Sequence, residues 1–349
     1  SIHTNVFCNN TNYSLHSSQI FFIMKICFLD NVNISYTSED IYSNKVRGAE
    51  NILINLSREF CRLNHDVTIF NNCKINNKID NVNWINLNSV NDKPHFDLAI
   101  SNNDIKLFDK ISAAKKIAIS HSIQSIEKFV RKGQLISYLK HKPKIVLLGK
   151  YHKSNRNILL RLFGSFTISW AVDDIFLNSQ IHNQILKNQA IFTSYPDRNL
   201  NLLINIWKNK IFKNNRNKKL LITPIKENYE KYNIFNREFG NKSKLIDDIL
   251  NSRIYLIPGH KAELYCIAAE EARELCIPII TLGIGSLSER VQHYKTGFVA
   301  KNSNEFADYT TALFNDHNLW FDIRKNLIKL RGLKKWKNTA IEFLNNIND

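Results

Sequence analysis

The residues best suited to chemistry lie in one stretch, 258–289, PGHKAELYCIAAEEARELCIPIITLGIGSLSE. Glu263 and Glu271 are separated there by seven residues, and Ile267, Ala268 and Ala272 continue an apolar stripe that predicts a helix. Glu263 then falls in the loop before the helix and Glu271 inside it. A helix N-terminus carries unpaired N–H groups and a partial positive charge, so it can hold a phosphate. Carboxylates beside it accept hydrogen bonds from sugar hydroxyls. The pattern outlines a site for a nucleotide joined to a sugar; the competing reading is two ordinary acids on a solvated helix. Arg198, in a turn after the apolar run AIFTS, has the fork geometry to pair bidentately with phosphate oxygens. His121 follows the strand KIAIS, and ligands of parallel sheets sit outside the carboxyl ends of strands.

Positioning such groups takes a sizeable scaffold. The 349 residues exceed the usual single-core range, and an apolar content of 44% suffices for two domains. Strand-like runs at 25–30, 82–87, 96–101, 116–120 and 144–148 alternate with helical patterns, which predicts a doubly wound parallel sheet. Helix 50–62 and the strand HDVTIF complete the first unit, and the stretch 125–140 is expected to form one basic amphipathic helix suited to a membrane surface. A second series begins at AIFTS. KLLITP and RIYLIP read as further strands, with helices at 200–207, 304–314 and 318–331. Residues 1–23 precede the only Met, Met24, and are expected to stand outside the fold, without the n-region or cleavage site of a signal peptide.

Forty-eight Lys and Arg against thirty-one Asp and Glu leave a net charge of +17, which favours anionic partners without choosing among them. No run approaches the roughly 20 apolar residues that span a bilayer. The six Cys form no CxxC pair and read as reduced thiols of a cytoplasmic protein. The adjacent acids Asp173-Asp174 and Asp247-Asp248 read as loop and helix surface rather than as metal ligands.

Glu263-x7-Glu271, Ala272, Ile277-Pro278-Ile279-Ile280, Gly283-x-Gly285, Glu289 and Thr296-Gly297-Phe298 together resemble the donor-site signature of the retaining family 4 (group 1) glycosyltransferases. Arg47-Gly48-Ala49-Glu50 resembles that family's Gly-Gly-x-Glu turn with Arg47 in place of the first Gly, and ISWAVDDIF resembles its interdomain crossing. The resemblance implies the GT-B fold: two Rossmann-like doubly wound domains facing a cleft. The first would span 24–175 on the acceptor side and the second, shortened, 176–335 on the donor side, with a boundary near 176–188. A last helix, 336–349, would pack back across the cleft. In the family's diphosphate clamp, two cations follow the first strand of the donor domain. Here Ser194 stands near one position, Arg198 near the other, and Asn199 replaces a Gly.

By that resemblance the chain is a metal-independent, cofactor-free glycosyltransferase. It would move a sugar with retention from a nucleotide-diphosphate donor to a glycan or lipid-linked acceptor of the cell envelope. It would work in the cytoplasm or on the inner face of the membrane. Glu263 would bind the hydroxyls of the transferred sugar, and His121 would contact the donor sugar or the acceptor. Glu271 would bind the ribose, the Leu264-Tyr265 backbone the sugar or diphosphate, and Gly48, Gly285 and Glu289 the donor. Arg198 would take charge developing on the diphosphate. The alternatives are a degenerate, non-catalytic partner subunit, suggested by the missing clamp cation, and a nucleotide-sugar epimerase. A nucleic-acid binder rests on charge alone and has no recognisable motif.

Overall fold

The computed structural model describes residues 22–43, 45–181 and 188–348. The extension expected at 1–23 therefore lies outside the described residues, apart from Phe22 and Ile23, which are exposed.

Apolar runs bounded by polar turns build a parallel sheet in each half of the chain. The first half holds β1 (Lys25–Leu29), α1 (Gly48–Arg62), β2 (Asp66–Asn71), β3 (Asn77–Ile79), β4 (Val82–Asn86), β5 (His95–Asn102) and β6 (Ser112–Ile119). It continues with α2 (Ile126–Arg131), α3 (Leu135–His141), β7 (Lys144–Leu147), α4 (Lys150–Asn155) and β8 (Ser165–Thr167). The sheet order is β3-β4-β2-β1-β5-β6-β7-β8, and the pairs are parallel except β3 with β4. Ile26, Cys27, Phe28 and Leu29 of β1 are all fully buried because the sheet is covered on both faces. Leu53, Leu56 and Phe60 of α1 cover one of them.

The helix expected over 125–140 is two helices. Gly133 takes φ +62°, a conformation that costs glycine little, and the Gln134 N–H turns back to the Phe129 carbonyl. The break divides the apolar residues. Phe129 and Tyr138 are buried and meet edge to face at 5.4 Å, whereas Val130, Ile136 and Leu139 stay exposed.

The second half holds α5 (Asp174–Asn178), β9 (Gln189–Phe192), α6 (Leu200–Ile206), β10 (Lys219–Ile222), β11 (Ile234–Asn236), α7 (Lys242–Leu250), β12 (Ile254–Leu256) and α8 (Ile267–Glu274). After these come β13 (Ile279–Thr281), α9 (Leu287–Arg290), β14 (Gly297–Val299), α10 (Ser303–Asn315) and α11 (His317–Leu330). Its sheet is parallel throughout, in the order β11-β10-β9-β12-β13-β14. The sequence pattern did not place β11. The chain reaches it through one 3-10 turn at Glu230–Tyr232 instead of a helix, which is where this domain is short.

After α11 the chain returns to the first domain as α12 (Trp336–Asn348). Phe343 of α12 lies 5.9 Å from Phe60 and 5.3 Å from Phe166, and Trp336 stacks on Trp170 at 6.1 Å. Burying one such ring contributes about 1.5–3 kcal/mol, so α12 is part of the first domain's core.

One acid of each pair taken for surface is buried, whereas Asp174 and Asp247 are exposed as expected. Asp173 is 2% exposed; its carboxylate accepts hydrogen bonds from Asn51 and Asn55 of α1 at 2.8 and 2.7 Å and pairs with Lys242 of α7. One buried acid thus ties the linker to both domains. Asp248 is also buried and pairs with Arg237 at 3.0 Å. An isolated buried charge is expensive, and these partners are what make each position tolerable.

Candidate active site

The cleft lies where both sheets end. Thr193 and Ser194 after β9 and Thr223 after β10 line it on one side, and Arg47, Gly48 and Asn51 at the start of α1 line it on the other. Its main chamber holds about 400 Å³ and also takes Arg198, Arg237, Lys242, Glu263, Cys266 and Glu271 into its wall. A neighbouring chamber of about 180 Å³ shares Gly48, Arg198 and Glu263 and adds His121, Leu264 and Tyr265.

Helix α8 sets the two carboxylates. Its N-cap, Cys266, sits at φ +57°, and the Cys266 N–H donates to Oε1 of Glu263 at 3.0 Å. That bond fixes Glu263 against the helix end, while its Oε2 lies 3.5 Å from Nε of Arg198. The Leu264 and Tyr265 N–H groups have no hydrogen-bond acceptor among the described residues and lie in the wall of the smaller chamber. Tyr265 itself is immobilised: its hydroxyl donates to the Trp170 carbonyl, and the Arg290 guanidinium stacks 4.1 Å from the ring centre. Glu271 is half-buried further along the helix, and its carboxylate has no hydrogen bond among the described residues. Desolvation pushes its carboxyl up to about 8, against a smaller downward pull from Lys242.

The remaining candidates separate into three roles. His121 reaches the smaller chamber with Nε2 3.1 Å from Oδ1 of Asn102, which leaves Nδ1 as the acceptor in the tautomer that donates to Asn102. Burial holds its ring down to about 4, so it is neutral near pH 7. Gly48 meets only Ile267 Cγ2 at 3.9 Å from a built Cβ, so its small size keeps the cleft open rather than relieving a clash. Gly285 does relieve one: at φ +72° a Cβ would come 2.3 Å from the His260 carbonyl oxygen, and the next N–H, of Ser286, holds the Glu263 carbonyl. Gly285 therefore shapes the loop carrying Glu263 from behind.

Glu289 is elsewhere. Its carboxylate accepts from the Lys150 and Tyr151 N–H groups at the start of α4, clasping the first domain, and it is not among the residues lining the cleft. Asn199, where the family's turn has Gly, adopts φ +65°, which Asn tolerates better than most residues, and its amide donates to the Gly259 carbonyl. Lys242, Arg237 and Asn51 were not found by sequence reasoning. They come from separate elements, and no spacing rule brings them together. Among the described residues no three His, Cys, Asp or Glu side chains converge as metal ligands.

Residues 217–330 match the family model for group 1 glycosyl transferases. The fold is shared with solved glycosyltransferase structures. Sucrose-phosphate synthase from Thermosynechococcus elongatus superposes at a TM-score of 0.67, with 11% identity over 92% of this chain and 97% of that one. Anabaena HepE in complex with UDP-glucose gives 0.64 and 13% over 93% and 100%. WaaG, a glycosyltransferase involved in lipopolysaccharide biosynthesis, gives 0.63 and 9% over 92% and 99%. No curated protein sequence matches the chain. The architecture is that of the GT-B glycosyltransferases, and the second domain carries the group 1 signature.

Proposed function

We propose that this chain is a group 1 glycosyltransferase that transfers a sugar with retention from a nucleotide-diphosphate donor to a hydroxyl of an envelope glycan or lipid-linked acceptor. The observation that carries the proposal is the convergence of Glu263, Glu271, Arg198 and the α8 N-terminus on one interdomain cleft. Glu271 accepts hydrogen bonds from the ribose diol, and Glu263 binds the transferred sugar. Arg198 and the free N–H groups of Leu264 and Tyr265 receive the charge that develops on the departing diphosphate. Neutral His121 accepts a hydrogen bond from a hydroxyl in the smaller chamber. The acceptor attacks the face from which the diphosphate leaves, so the anomeric configuration is kept. The protein's own cations supply the positive charge, and no metal or cofactor is part of this reading. Similarity to HepE, solved with UDP-glucose, and to WaaG supports the donor class and the envelope setting.

The enzyme works from the cytoplasmic face of the membrane in this reading, held by a patch of exposed aliphatics. Val130, Ile136 and Leu139 of α2 and α3, Ile158 and Leu159 of the 3-10 turn 158–161 and Leu162 just after it are exposed, and so are Arg131, Lys132, Lys140 and Arg161 in the same segments. Exposed aliphatics in segments that also carry cations suit an anionic lipid surface. No helix among the described residues is long and apolar enough to cross a membrane.

A thermal-shift screen against UDP-, GDP-, ADP- and CMP-sugars tests the donor assignment, because a ligand that binds only the folded chain raises its melting temperature. A shift with one base class, followed by sugar transfer to lipid-extract acceptors, is the expected result. The uncharged Ser194 in the cleft wall favours one rival, a non-catalytic partner subunit, and silence across the panel selects it.

A further inference from the structure

Four cations line the main chamber: Arg47, Arg198, Arg237 and Lys242. Three are already matched by acids. Arg237 pairs with Asp248 at 3.0 Å, Lys242 with Asp173, and Arg198 lies 3.5 Å from Glu263. Arg47 alone among them has no acid within ion-pair distance among the described residues. Its side chain makes no hydrogen bond there either, and the residue is exposed.

The local fold explains why it has no ion-pair partner, its charge acting only at longer range on the buried Glu50 carboxyl. Arg47 is the N-cap of α1 in extended backbone, φ −98° and ψ −179°, so a side chain is accommodated without strain. The acid that might have neutralised it, Glu50, is buried and turned to the backbone, where Oε2 accepts the Arg47 N–H at 3.0 Å. The guanidinium is therefore left at the lip of the cleft, on the first domain, with Ser194 and Arg198 in the wall that the second domain supplies.

We infer that Arg47 is a ligand of the donor's diphosphate, supplied across the cleft from the first domain and completing with Arg198 a two-cation clamp that neither domain holds by itself. This rests on the donor-site reading given above. A diphosphate presents several anionic oxygens, and one guanidinium shared with Glu263 offsets only part of that charge. A second, unshared fork from the opposite wall offsets more and binds bidentately. Its placement has a further consequence: diphosphate binding draws the two domains together, because the anion is held from both.

Calorimetry with UDP, GDP and ADP, each alongside its parent nucleoside, tests the inference on wild type, Arg47→Ala and Arg47→Lys. Arg47→Ala is expected to weaken the nucleoside diphosphate that wild type binds by ten- to a hundredfold, as for loss of a charge-assisted pair, and to leave the nucleoside within twofold. Arg47→Lys should recover part of the loss. Unchanged melting temperatures in both variants exclude misfolding as the cause. If wild type binds a nucleoside diphosphate and Arg47→Ala binds it equally well, the inference about Arg47 is wrong and the donor site stands. Equal losses for nucleoside and diphosphate also overturn it, since the role would then not be with phosphate. If wild type binds none of the three, the donor-site reading falls and this inference with it.

Discussion

Replacing Glu271 with Gln removes the desolvated acid of the cleft while keeping its shape, and its effects on stability and on binding run in opposite directions. Burial raises the carboxyl from an ordinary 4.5 to about 8. A raised acid binds its proton more tightly in the folded chain than in the unfolded one, so the folded state is favoured at low pH. That contribution is complete below about 4.5 and is lost as pH rises through 8. The full interval, about 3.5 units at 1.36 kcal/mol each, sets a ceiling of about 5 kcal/mol. The residue is half-buried and opens on a hydrated cleft, so screening reduces the expected difference to about 2 kcal/mol. Measured by thermal unfolding between pH 5 and pH 9, the Gln variant should gain on wild type by about 4–8 °C at the alkaline end. Nucleotide affinity should move the other way: the ribose diol needs the ionised carboxylate, so wild-type affinity rises with pH up to about 8 while the variant stays weak and flat. Melting curves that keep a constant separation at every pH would refute the claim that Glu271 is desolvated and unpaired.

Three further outcomes are expected. Glu263→Gln should depress turnover far more than affinity for the bare nucleoside diphosphate, since Glu263 serves the transferred sugar; initial rates and calorimetry compare the two, and equal losses would place it with the nucleotide. Asn199→Ala should destabilise the second domain by about 1–2 kcal/mol, from left-handed backbone strain and the lost bond to the Gly259 carbonyl, whereas Asn199→Gly should cost less; denaturant unfolding that ranks Gly below Ala would contradict this. The protein should sediment with anionic but not neutral liposomes, salt should release it, and Ile136→Asp with Leu159→Asp should abolish binding; equal sedimentation with both lipids removes the membrane patch.

Much of this architecture was legible because buried parallel strands are written as uninterrupted apolar runs. KICFL and RIYLIP announce themselves, and so does the acid pair that flanks the start of α8, Glu263 before it and Glu271 within it. What stayed hidden has physical causes. β11 is three residues long with Phe235 and Asn236 exposed, so it carries no periodic signal. The break at Gly133 falls inside a good helical period, and only the tertiary packing of Phe129 on Tyr138 shows which apolar residues are core. Asp173 looked like a surface acid because the charge that stabilises it, Lys242, stands 69 residues further along. Glu289 fitted a motif by spacing, yet its carboxylate is spent on the start of α4.

The return of α12 to the first domain also bears on how the chain is made. Phe60 and Phe166 are complete early in translation, but Phe343, which packs between them, leaves the ribosome after the entire second domain. The second sheet depends on no later segment beyond α11 and can close first. During synthesis the first sheet therefore waits with an apolar face uncovered between Phe60 and Trp170, and this nascent surface is where chaperone binding, or premature association of unfinished chains, should concentrate.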